Sequence, residues 1–250
     1  MNELISVILA VKNGQDYIED TIESVLGQSY TNFELIIIIN CSSDETLNIV
    51  KNVKDSRVTY YETNISQLSF NLNYGILKAK GDYIARIDAD DLAFKYRLEK
   101  QLSILKKYNY DVVGSNIQLI DEKGLNKKSI VLPENNSEIR SKIFYRSVIA
   151  HPSVLMKKSS LLKHSCYLGG KFAQDYDLWL RLMRDKDIKF YNVQEPLTKY
   201  RIHSKQSKGN PYSYAEVAGY LFKESIYSKS FRYFIGSFIY YFKACFIKLT

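Results

Sequence analysis

Cysteine is scarce in this 250-residue chain. Only Cys41, Cys166 and Cys245 occur, odd in number and far apart. Neither a disulfide framework nor a zinc-type spacing can be drawn from them, so a reducing cytosol is the expected setting. There is no internal repeat and no low-complexity linker, which leaves one large domain or one domain with a tail. The first apolar run, 4–11, has neither a basic leader nor a cleavage-type sequence. A first strand is expected there rather than a signal peptide. A membrane-spanning run is also missing. The aromatic stretch 231–249 is interrupted by Arg232, Lys243 and Lys248, and its longest charge-free part, 233–242, is too short for about 30 Å of hydrocarbon.

Tyrosine, by contrast, is abundant, at 21 residues beside 12 Phe and a single Trp. A hydrophobic share of 46% with 25% charged residues is ordinary for a globular protein with a real core. The net charge of +8 suits nucleic acid, an anionic membrane or a phosphorylated ligand. No nucleic-acid motif accompanies it, so nucleic acid is not an expected partner.

The first hundred residues alternate strand and helix patterns. ISVILAV is β-branched and ends at the turn signal Lys12-Asn13-Gly14. Apolar residues recur at helical spacing over 17–26. FELIIII is apolar on both faces, as a central parallel strand should be. Ser43 is the candidate N-cap of a second helix, VTYYE a third strand, 68–79 a third helix, and DYIARI a fourth strand. This order predicts an α/β fold with a parallel sheet and right-handed crossovers. Further on, strands with a turn at Glu122-Lys123-Gly124 are expected over 111–132, a helix over 137–144, a strand over 153–156 and a helix over 175–183. The chain from Tyr212 onward is helical in pattern.

Three carboxylates, Asp88, Asp90 and Asp91, follow the fourth strand. A solvated turn before a helix would explain them. Yet open α/β sheets bind ligands beyond the carboxyl ends of their strands, where Lys12-Asn13, Asn40-Cys41 and Asp88-Ala89-Asp90 all fall. Carboxylates two apart can share a hard divalent cation that also takes diphosphate oxygens. Gly81 and Arg86 are expected to serve the same site.

The motifs SVILAVKNG, SVLGQSYTNFELIII, SSDET, GDYIARIDADD, RLEKQ, DVVGSN, IAHPSVLM, QDYDLWLRL and YRIH run in order over roughly the first 200 residues. Together they resemble a family 2 glycosyltransferase of the GT-A type, from bacterial surface-polysaccharide biosynthesis. The resemblance implies a GT-A-like, Rossmann-like, mostly parallel sheet flanked by helices, and an inverting transferase using a nucleotide-activated sugar, usually UDP-linked. It implies Mn²⁺ or Mg²⁺ at Asp88 and Asp90, with His203 approaching the metal or the diphosphate, and Asp175 as general base. Asp175 would otherwise be an ordinary helix cap. His151 and Gln174 are assigned to the acceptor side, Gln174 standing where the family often has Glu. His164 has no such context. Ala10, Lys12, Asn13, Ile39, Asn40, Arg86 and Ala89 complete the expected nucleotide-sugar site.

Two positions depart from the pattern. Relatives carry an aromatic residue at Lys12 and Asp at Ile39, so Asn40 could be the base contact and Lys12 could reach a phosphate. These departures keep a degenerate nucleotide-sugar-binding scaffold without turnover as the alternative. An aspartyl phosphatase or phosphotransferase would need its acidic motif after the first strand, where there is none. The expected organisation is a catalytic domain over 1–208 and a helical, aromatic tail over 209–250. That tail either packs on the domain or docks at the cytoplasmic face of the inner membrane, where a lipid-linked glycan acceptor would lie.

Overall fold

The computed structural model describes residues 3–203 and 210–246. Its elements, in chain order, are β1 (Ile5–Val11), α1 (Ile18–Leu26), β2 (Phe33–Asn40), α2 (Thr46–Asn52), β3 (Val58–Thr63), α3 (Leu68–Lys78), β4 (Tyr83–Arg86) and β5 (Leu92–Ala93). The second half adds α4 (Arg97–Tyr108), β6 (Val112–Ile120), β7 (Asn126–Ile130), α5 (Asn136–Lys142), a 3₁₀ turn (His151–Ser153), β8 (Leu155–Lys157) and α6 (Lys158–Lys163). It closes with α7 (Gln174–Arg184), β9 (Phe190–Arg201), α8 (Pro211–Ser228) and α9 (Phe231–Phe246). The expected 208/209 boundary and Lys248 lie outside the described residues.

One sheet carries the order β3-β2-β1-β4-β8-β6-β9-β5, with β7 paired to β6. The four leading strands are parallel, as their alternation with helices requires. From β8 onward the sheet is mixed. β8 runs antiparallel to both β4 and β6, while β9 returns parallel to β6.

The apolar run of β2 shows why this strand is central. Ile36 and Ile38 join Ile8, Ile84 and Met156 in the core beneath α3, α5 and α7. Leu35, Ile37 and Ile39 alternate with them and face Val11, Ile18, Val50 and Leu102 on the other side. Both faces of β2 are therefore covered, and each isoleucine buried contributes about 1.5–3 kcal/mol.

Several local expectations shift by a turn. Ser43 does not cap α2. The helix opens at Thr46, whose amide donates to the Asp44 carboxylate at 3.1 Å, while the Ser43 amide donates to Asn13. The strand expected from 153 begins at Leu155, because the 3₁₀ turn His151–Ser153, with Pro152 in it, comes just before. Gly81 serves packing rather than the site. It precedes β4, at the opposite end from Asp88; its amide donates to Ser6, and a β-carbon there would collide with the Leu4 carbonyl.

The two C-terminal helices lie on the same core. Val217, Ala218 and Leu221 of α8 and Tyr240 of α9 join the cluster that holds Trp179 and Leu182 of α7. Buried Glu224 pairs with Arg184 at the end of α7, through both of its carboxylate oxygens.

Candidate active site

The carboxyl ends of β1, β2 and β4 open onto one edge of the sheet, and the acidic turn follows β4 directly. Carboxylate oxygens of Asp88, Asp90 and Asp91 all lie within 4.8 Å of one another. The far end of β9 is tied down on top of them. The Arg201 amide donates to Asp91 at 2.9 Å, and its guanidinium donates to the carbonyls of Asp90 at 2.8 Å and Glu122 at 2.9 Å. That fixes the strand end so that His203 Nε2 meets Asp90 Oδ2 at 2.8 Å. Tyr17, at the start of α1, lies under both, with its ring 5.3 Å from that of His203 and 4.5 Å from the Arg201 guanidinium.

So much negative charge needs compensation. Arg86, 3% exposed, pairs with Asp88; burial works against its charge, yet the aspartate outweighs this and raises its pKa further. Asp91 is fully buried, with one oxygen on the Arg201 amide and Oδ2 without a partner among the described residues. Burial first, then the charges of Asp88 and Asp90, push its carboxyl well above the ordinary range. Asp90 is raised too, by burial and by Asp88, against the pull of His203. Clustered acids, one with an orphaned oxygen, and an adjacent imidazole make a hard oxygen-and-nitrogen donor set that fits Mn²⁺ or Mg²⁺. Burial, then the charges of all three aspartates, raise the phenol of half-buried Tyr200.

Asp175 approaches from α7. It is half-buried in the helix's first turn, and burial raises its carboxyl above 3.8 while the helix amides and Arg86 pull it back. The charge of Asp88 raises it as well. The turn before α7 is held from α8. Glu216 accepts the amides of Lys171, Phe172 and Ala173 at 2.8–3.0 Å. Gln174 is buried, its Oε1 unpartnered among the described residues. His151 is 7% exposed, with Nε2 2.7 Å from the Tyr167 hydroxyl and its ring against Trp179. Burial, then Arg86, drive its pKa well down, so it is a neutral group beneath the site.

The expected nucleotide residues divide. Ala89 and Ala10 are partly exposed on the edge. Lys12 donates to Ser66 at 3.0 Å, and Asn13, in left-handed backbone at φ 53°, commits its side-chain oxygen to the Ser43 amide. Ile39 is 3% exposed and packed in the core with Val11 and Val50, so its side chain does not reach a ligand. Asn40, buried at the strand end with Oδ1 unpartnered among the described residues, is the polar group available there.

Residues 6–164 match the family described as glycosyl transferase family 2. The chain belongs to glycosyltransferase family 2. Among its relatives in that family is the O-antigen biosynthesis glycosyltransferase WbnJ of Escherichia coli. It is 38% identical over 248 residues, covering 97% of this chain and 96% of that one. An uncharacterized glycosyltransferase of Methanocaldococcus jannaschii is 34% identical over 214 residues, covering 82% of this chain and 72% of its own length. Among solved structures, S. aureus TarS 1-349 in complex with UDP-GlcNAc superposes with a TM-score of 0.70 at 17% identity, over 89% of this chain and 65% of that one. The likeness bears out the expected GT-A-like fold. The family match ends just after α6, before Asp175 and His203, whereas the alignment with WbnJ spans nearly the whole chain.

Proposed function

We propose that this family 2 glycosyltransferase moves a sugar from a UDP-sugar to a hydroxyl of a lipid-linked surface glycan, inverting the anomeric carbon. The observation that carries the reading is the acidic triad clustered where β4 ends on the sheet edge. The uridine-linked donor is supported by the UDP-GlcNAc held by TarS, and a surface-glycan acceptor by the naming of WbnJ. A lipid carrier puts the reaction at the cytoplasmic face of the inner membrane, in keeping with the net charge of +8.

Asp175, ionised, takes the proton of the acceptor hydroxyl. The acceptor oxygen then bonds to the anomeric carbon as the bond from that carbon to the diphosphate oxygen breaks, and the electron pair leaves with the nucleoside diphosphate. Asp88, Asp90 and His203 would hold Mn²⁺ or Mg²⁺, whose charge neutralises the departing diphosphate. Arg86 holds the Asp88 carboxylate in place through their ion pair.

Asp175→Asn tests the assignment. Sugar transfer should fall by roughly 10²–10⁴-fold while UDP-sugar affinity is unchanged. Undiminished transfer would remove Asp175 from the role of base. The buried Ile39 and the Lys12–Ser66 contact favour a second reading, a sugar-nucleotide-binding scaffold. On that reading wild-type protein binds donor yet transfers to no acceptor.

A further inference from the structure

The outer face of the α8–α9 pair has a composition that nothing in the transfer reaction uses. Phe222, Ile226, Phe231, Phe238, Tyr241 and Phe242 are 47–72% exposed on it. Small residues, Ala215, Ala218, Gly219 and Ser237, floor a groove of about 370 Å³ between the two helices. Every charged side chain exposed on these helices and their connection is basic, namely Lys223, Lys229 and Arg232. The two acids of the segment are turned inward, Glu224 onto Arg184 and Glu216 onto the amides of residues 171–173. Among the described residues no helix is long and apolar enough to cross a membrane.

From this we infer that the α8–α9 face docks flat on an anionic lipid surface, its aromatic rings at headgroup depth and its cations on the phosphates. Apolar contact and positive charge are the two attractions that hold an interfacial helix. A second copy of the chain offers only the first. Across a two-fold axis Lys223, Lys229 and Arg232 would meet their own kind. The docking rests on the proposed lipid-linked acceptor for its purpose, and on the surface itself for its existence. Its consequence is an orientation. The same helix α8 carries Glu216, which holds the turn two residues before Asp175. One helix therefore links the docking face to the turn before the base.

The test uses the full chain and vesicles, with no acceptor present. Flotation with phosphatidylcholine vesicles is compared with vesicles containing about one-third phosphatidylglycerol. The expected result is binding to the anionic vesicles alone, weakened by salt. Phe238→Ser with Phe242→Ser should abolish it, and Lys223→Gln with Arg232→Gln should weaken it roughly tenfold or more. All four positions are exposed, so the melting temperature should hold, as should UDP affinity in Mn²⁺. UDP affinity reports on the transferase reading separately. Wild-type protein that stays out of both floating fractions overturns the docking. So does a stable dimer in sedimentation that the Phe238→Ser, Phe242→Ser pair dissolves.

Discussion

His203 Nε2 lies 2.8 Å from Asp90 Oδ2, although 113 residues separate them in the chain. The contact exists because β9 runs the length of β6 and Arg201 pins its end to the acidic turn. It makes one donor set from two distant motifs. His203→Ala should therefore raise the Mn²⁺ concentration needed for half-maximal transfer about 10- to 100-fold. Titration of activity with Mn²⁺ checks this, and the thermal midpoint should move little.

Asp91 gives a stability prediction with a definite sign. Its folded pKa lies above the unfolded value, so the folded chain binds that proton more tightly. The associated stability is fully present below the unfolded pKa and is lost as pH rises through the folded one. At neutral pH the ionised cluster is thus a cost. Without metal, Asp91→Asn should raise the melting temperature at pH ~7 by roughly 2–4 °C, the scale of about 1 kcal/mol here. The gain should shrink on acidification. Melting curves of both proteins across pH, in EDTA, decide it.

Asp175 sets the acid limb of the rate. A base must be ionised, so turnover rises with pH through its pKa, which burial, then Asp88, holds above 3.8. A profile of kcat on the acid side should show an inflection above that of a solvent-exposed aspartate. The residual rate of Asp175→Asn should lack that inflection.

Glu216 is a positioning residue. Glu216→Ala frees three amides before α7 and should cost about 1–3 kcal/mol of stability. The expected kinetic result is a kcat lowered roughly tenfold with the donor KM unchanged, because only the base side loosens.

The sheet's leading half was legible because β-branched runs end in turn residues and alternate with helical spacing. The acidic turn was legible for the same reason: three carboxylates follow a buried strand. β9 was not. Pro196 and the Gln194-Glu195 pair break its pattern, and its register against β6 shifts around Asn116. Ile39 was misplaced by parity, since Val11 pairs with it and both side chains turn under α1 and α2. His151 lies buried because the turn at Pro152 folds it inward. Tyr17 and Glu216 act across long separations that leave no local periodicity; Arg201 lay within a recognised motif, but its ties to the acidic turn did not show.

Calorimetric binding of UDP, GDP, CDP and dTDP, each with Mn²⁺ and with EDTA, tests the central claim most directly. The expected result is binding of UDP in Mn²⁺ alone, lost in Asp90→Ala. Folded wild-type protein that binds none of the four, or binds equally in EDTA, would contradict a metal-assisted donor site at Asp88 and Asp90.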